Sequence, residues 1–244
     1  MVAQHFQGWA VSRHNEHSMA GLMSSFYLNN YQPLAASPSG REAVNAFQLP
    51  PFIDGSIRRE PDLEHDYPAI TCLCRGGKFA PRLEIGDIVA YVTKKRSFGL
   101  GGRAQRRLTA VLRVAHRFES HTQAKLWYDE RGMSLPSNLM VPGNAAAPFE
   151  QSHRLYRSSK CLGAAKTFRE WDASYRARAR KFPVVVGCVA LKTWLGWDAP
   201  EVTDADLESV FGAVPGMQNP GEHSLREFQA LMRRLGLTVP LFAW

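Results

Sequence analysis

Four short apolar runs govern what this chain can fold into: PAITCLC (68–74), LEIGDIVAYVT (83–93), RLTAVLRVAHRF (107–118) and PVVVGCVALKTW (183–194). Each has strand length, is rich in β-branched residues and is bounded by Gly, Pro or polar clusters. The first three follow one another with no helix-length pattern between them, which excludes the β–α alternation of dinucleotide-binding folds. A helix, a long loop, a basic helix, the fourth strand and two more helices complete the order. That order implies an α+β fold, with a small mixed or antiparallel sheet curled toward a barrel and flanked by helices.

The helix boundaries carry their own signals. Ser120-His121-Thr122-Gln123 has the form of a capping box, and its helix is expected to reach Arg131 and stop at Gly132. A longer helix is expected over 159–182, where Cys161, Ala165, Phe168, Trp171, Tyr175, Ala179 and Phe182 recur every three to four residues and turn one face inward. Of the two C-terminal helices, the first is capped near Thr203. The second runs from the Ser224–Glu227 box to Gly236, with Leu225, Phe228, Leu231 and Leu235 inward. Residues 32–51 and 133–153, with their Pro and Ser clusters, read as loops, the first holding a single helical turn. Residues 1–22 are expected to be a poorly ordered extension, and 23–244 a single domain. No stretch reaches the ~20 apolar residues of a membrane helix and the first residues lack a secretory apolar segment, so the expected location is the cytoplasm.

Charge is concentrated. The 244 residues carry a formal charge of +8, and residues 154–181 hold nine basic side chains against Glu170 and Asp172, a net +7. Such a segment suits a polyanion, most simply nucleic acid, and equally describes a solvated helix face. Lys166, Arg169, Arg176, Arg178 and Arg180 are the candidate phosphate contacts on it. Arg96, Arg103 and Arg106 join them from a basic loop containing Gly99, Gly101 and Gly102, which has the make-up of a backbone-following loop but no Walker ending. Cys72 and Cys74 would share one face of a strand, and small buried hydrophobes fit them better than half a metal site. With no HExxH, GxSxG or zinc-deaminase pattern, neither a metal nor a cofactor is expected.

The densest polar cluster is Asp54, Arg58, Arg59, Glu60, Asp62, Glu64, His65 and Asp66. Its composition favours solvated surface ion pairs; the alternative is a lined pocket in which a carboxylate polarises water and an arginine fixes its geometry.

Four segments together, DGSIRREPDLE (54–64), CRGGKFAPRLEIGDIVAYVTKK (74–95), RLTAVLRVAHRFESHTQAKLWY (107–128) and LPSNLMVPGN (135–144), resemble a bacterial family that shares these blocks. At pattern level the G-D-x-V strand opening is similar to PUA-like folds, which include EVE, ASCH and nucleotide-modification-associated domains. The resemblance implies a curled sheet whose pocket accepts a flipped or single-stranded base, often a modified one. It extends to phage-defence DNA glycosylases that excise hypermodified bases. On that reading Asp54 is the catalytic carboxylate with Glu60 second, Arg58 and Arg59 orient it or hold a phosphate, Phe79 stacks on the base, and Lys94 and Asn138 read its edge. Two other outcomes stay open: a non-catalytic reader of modified DNA or RNA, and an interaction protein whose basic helix meets an acidic partner. The sequence leaves the oligomeric state open.

Overall fold

The computed structural model describes residues 24–98, 103–153 and 168–240. The expected extension (1–22), the glycines at 99, 101 and 102, Cys161 and Lys166 lie outside these residues, as does the first part of the expected basic helix.

The fold is α+β, built on a curled mixed sheet that closes halfway to a barrel. Its strands are β1 (Phe26–Tyr31), β2 (Ala69–Ile70), β3 (Ile88–Thr93), β4 (Arg106–Phe118), β5 (Val185–Thr193) and β6 (Glu201–Val202). The order across the sheet is β1-β3-β4-β5-β2, with β6 pairing the start of β4. Only β1 and β3 are parallel; the other pairs are antiparallel. Bulges in the β3–β4 and β4–β5 ladders add bend, which is how a long strand such as β4 curls.

Both faces of the sheet are covered. Phe26, Leu28, Ile88, Ala90, Val92 and Val111 pack against α4 (Asp204–Phe211) and α5 (Leu225–Arg234) through Leu207, Phe228 and Leu231. Both helices begin with reciprocal capping boxes, at Thr203/Asp206 and Ser224/Glu227. The other face presents Tyr27, Tyr31, Val89, Tyr91, Ala110, Leu112 and Cys188 to the chain between 63 and 83. Burial on both sides explains why β1 has no polar/apolar alternation to betray it, and the sequence pattern missed it.

Two further expectations need correction. Residues 32–51 hold a ten-residue helix, α1 (Pro38–Phe47), rather than one turn. Ser37 caps it by accepting from the Gly40 amide at 3.0 Å, Pro38 sits in its first turn, and Ala43 and Val44 pack on Leu34 and Ile53. The PAITCLC strand shrinks to Ala69–Ile70, because the Thr71 amide leaves the ladder to donate to the Glu60 carboxylate at 2.8 Å. Cys72 and Cys74 therefore do not share a strand face: Cys72 is buried and Cys74 exposed.

Helix α2 (His121–Asp129) starts where expected. Ser120 accepts from the Gln123 amide, while the Gln123 side chain reaches the Glu119 amide instead of that of Ser120. The described part of the basic helix is α3 (Phe168–Lys181), which turns Tyr175 and Ala179 inward.

Candidate functional site

The polar cluster at 54–62 is not a surface feature. From Phe52 through Leu63 the chain is continuously buried, charges included. For Asp54, Arg58, Arg59, Glu60 and Asp62 the composition-based expectation of solvated ion pairs is overturned because the segment is threaded between neighbouring loops, while Glu64 and Asp66 are exposed and His65 is half-buried. Leu34 and Ala35 donate to the Ile53 and Pro51 carbonyls, Gly55 donates to Gln32, Ala147 to Ile57, and His153 to Gly55. Position 55 requires glycine for space, since a Cβ there would lie 2.2 Å from His153 Nδ1.

Each buried charge is tied down. Arg58, 2% exposed, donates from Nε to Asp172 Oδ1 of α3 at 2.9 Å, and from Nη1 to the Ser137 and Asn144 carbonyls at 2.9 and 3.1 Å. Burial pushes its guanidinium pKa down and Asp172 opposes the shift. Arg59 donates to the Asp54, Ser56 and Gln151 carbonyls. The two arginines thus brace the segment and the 133–153 loop. Arg59 meets the main-chain oxygen of Asp54 rather than its carboxylate, and neither guanidinium stands open for a phosphate.

Asp54 and Glu60 are 5% and 8% exposed. Asp54 Oδ1 accepts from the Ser56 amide at 2.9 Å and from the Ser56 hydroxyl. Burial raises its pKa, while Ser56, the Glu60 amide and Arg59 restrain the shift. Glu60 accepts from the Thr71 amide and hydroxyl and from Asn138 Nδ2 at 3.2 Å. Burial outweighs these donors and, with the Asp54 charge adding to it, lifts the Glu60 carboxyl to about 7. Both carboxyls are therefore poised for proton exchange closer to neutrality than free side chains are.

Cys74 lies within electrostatic reach of the two carboxylates. The residue is exposed, yet its thiol pKa is raised first by the protein surrounding it and then by the charges of Asp54 and Glu60. Arg75, beside it, donates to the Asn30 and Gln218 carbonyls, and its charge acts on Tyr91 of the sheet.

The remaining candidates separate. Phe79, expected to stack on a base, is a core residue, edge-on to Tyr27 with ring centroids 5.7 Å apart. Asn138, expected to read a base edge, is fully buried and spends its amide on Glu60 and on the Ala69 carbonyl at 2.7 Å. Both are corrections with one cause: apolar and amide groups in these loops close the interior before they can line an opening. Lys94 and Arg96 are exposed at the end of β3. The Arg96 and Gln105 backbones pair with each other at the stem of the glycine loop. Arg103 pairs with Glu201 at 3.0 Å and Arg106 with Asp204, so acids of β6 and α4 offset the positive charge of that stem.

On α3, Arg176 pairs with Asp172 at 2.8 Å, and Arg178 donates to the Leu73 carbonyl at 2.7 Å. Arg169 and Arg180 are exposed, with no partner among the described residues. Asp172 therefore joins the buried cluster to the basic helix, accepting from Arg58 on one oxygen and Arg176 on the other.

Sequence reasoning missed Thr71 and Asp172 as members of the network. Each left a trace: Thr71 interrupts an apolar run, and Asp172 is one of two acids in a strongly basic segment. Among the described residues, no three His, Cys, Asp or Glu side chains are grouped to hold a metal ion. No helix of the described residues is long and apolar enough to cross a membrane. No family model, curated protein or solved structure matches this chain.

Proposed function

We propose that this protein binds DNA bearing a modified base and releases that base by hydrolysing its N-glycosidic bond, in defence against phage with hypermodified DNA. The observation that carries the reading is the buried carboxylates Asp54 and Glu60, with Glu60 lifted to about 7, on a segment whose Arg58 is held by Asp172 of a basic helix. Hydrolysis of a glycosidic bond needs what such a pair supplies.

In this reading Asp54 acts ionised. It orients a water toward the sugar C1′ and offsets the positive charge growing there. As the C1′–N bond breaks, its electron pair leaves with the base. The water oxygen bonds to C1′ and its proton passes to Asp54. Glu60, protonated in part at neutral pH, provides the proton for the departing base. The products are an abasic site and a free base, and one water is consumed. Exposed cations of α3 hold the phosphate backbone while the base is extruded.

One observation favours a second reading. The Glu60 carboxylate already accepts from Thr71 and Asn138, which suits a fixed structural acid in a non-catalytic reader. Incubating the protein with unmodified DNA and with DNA carrying sugar-bearing bases separates the two. Abasic sites and released base, detected by mass spectrometry in modified DNA and absent with Asp54→Asn, are the expected result. Selective binding with the DNA left intact would replace the glycosylase by the reader.

A further inference from the structure

A groove of about 220 Å³ lies between the N-terminus of α2 and the last turns of α3, lined by Ser120, His121, Thr122, Arg176, Arg180 and Met140, among others. Its lining includes neither Asp54 nor Glu60. His121 is its unusual member. The side chain is 6% exposed, and its Nδ1 accepts from the Met140 amide at 3.1 Å. That bond fixes the neutral ring with its hydrogen on Nε2. Nε2 is buried and has no partner among the described residues. A buried donor without an acceptor is costly, and native proteins rarely leave one unless something else supplies the acceptor. Burial holds the ring's pKa down at about 4, so it remains a neutral donor across physiological pH.

The surroundings specify the missing acceptor. His121 and Thr122 open α2, and the first amides of a helix have no carbonyl within it to receive them. The positive end of the helix dipole lies at the same place. Ser120 accepts from the Gln123 amide, which leaves its hydroxyl hydrogen to donate, and Thr122 is exposed. Arg180 contributes an unpaired guanidinium, and Arg176 one shared with Asp172. Imidazole, hydroxyl and amide donors with two guanidinium groups match an anion carrying several acceptor oxygens.

We propose that this groove is a phosphate-binding site, with His121 Nε2 and Arg180 as its principal ligands and the first turn of α2 completing it. The phosphate comes either from a nucleic-acid backbone, in which case the site rests on the DNA-binding reading above, or from a free phosphorylated molecule.

Two arms test the site and its source. In the first, inorganic phosphate is titrated into the whole protein while NMR follows the amides of residues 120–123. In the second, fluorescence anisotropy measures binding of a labelled DNA duplex across a salt series. The variants are Arg180→Gln, exposed and unpaired so that folding is spared, and His121→Asn, whose side-chain oxygen can still accept from Met140 while the Nε2 donor is gone. Saturable shifts with phosphate that both variants weaken at least fivefold establish the site. A roughly tenfold weaker duplex affinity in Arg180→Gln, with a salt slope smaller by about one, assigns the phosphate to the DNA backbone. Phosphate shifts with unchanged duplex affinity assign it to a free phosphorylated ligand. If phosphate moves none of these amides and neither variant alters duplex binding, the site is overturned. Loss of glycosylase activity bears on Asp54 and Glu60 and leaves this test untouched.

Discussion

The segment 54–64 and helix α3 are both dense in arginine and acid, and on paper they look alike. In the folded protein they are opposites. The first is buried through Leu63, and its arginines donate to five main-chain carbonyls as well as to Asp172. The second presents Arg169, Arg176, Arg178 and Arg180 to solvent and turns Tyr175, Ala179 and the Asp172 carboxylate inward. A buried guanidinium is tolerated where fixed oxygens replace its water, and the loops at 133–153 supply them here. The charges of Arg169 and Arg180 stay hydrated, while Arg176 pairs with Asp172 and Arg178 bonds the Leu73 carbonyl. One region holds a buried geometry, and the other keeps part of its charge in water.

The sharpest way to break this contrast is at the carboxylates. Asp54→Asn should lower base release by 10²–10⁴-fold, the typical contribution of a positioned acid or base, while DNA affinity changes little. Abasic-site counting beside anisotropy checks it. Comparable losses in both would make Asp54 a binding residue.

Next comes the ion pair that joins the two regions. Arg58→Ala leaves Asp172 without its buried partner and the Ser137 and Asn144 carbonyls without their donor, and should cost about 3–5 kcal/mol in urea unfolding. Arg58→Lys should recover only part of this, because one ammonium cannot span Asp172 and both carbonyls.

A third test uses pH. The Glu60 carboxyl rises from 4.5 to about 7 on folding, so between these values the native state keeps a proton that the unfolded chain has lost. The stability tied to that proton is complete below pH 4.5 and disappears as pH rises through 7. Its full size is about 3 kcal/mol. Melting temperatures across pH 4.5–8 should show this decline, and Glu60→Gln should flatten it. An identical slope in the variant would assign the titration to another group.

The smallest effect on stability is expected in α3. Arg169→Gln and Arg180→Gln should leave unfolding free energy within about 0.5 kcal/mol of the parent. Each should still weaken duplex binding and reduce its salt slope by about one. Destabilisation without loss of binding would turn the helix into a second structural region.

Much of the framework could be read from the chain itself. The β-branched runs at 88–93, 106–118 and 185–193 became strands because their residues favour a pleated, buried backbone. The boxes at Thr203 and Ser224 started helices because they satisfy amides that no carbonyl within the helix can reach. Net charge near 160–180 was also a property of sequence alone. Tertiary structure decided the rest. It buried the DGSIRREPD segment, stopped a strand at Ile70 by drawing the Thr71 amide to Glu60, and sealed Phe79 and Asn138 inside. It also brought His121 beside Arg180, 59 positions away in the chain. Propensity and capping act over a few residues and can be read locally. Burial, acceptor supply and pKa depend on which distant loops close over a residue, and only the folded chain determines that.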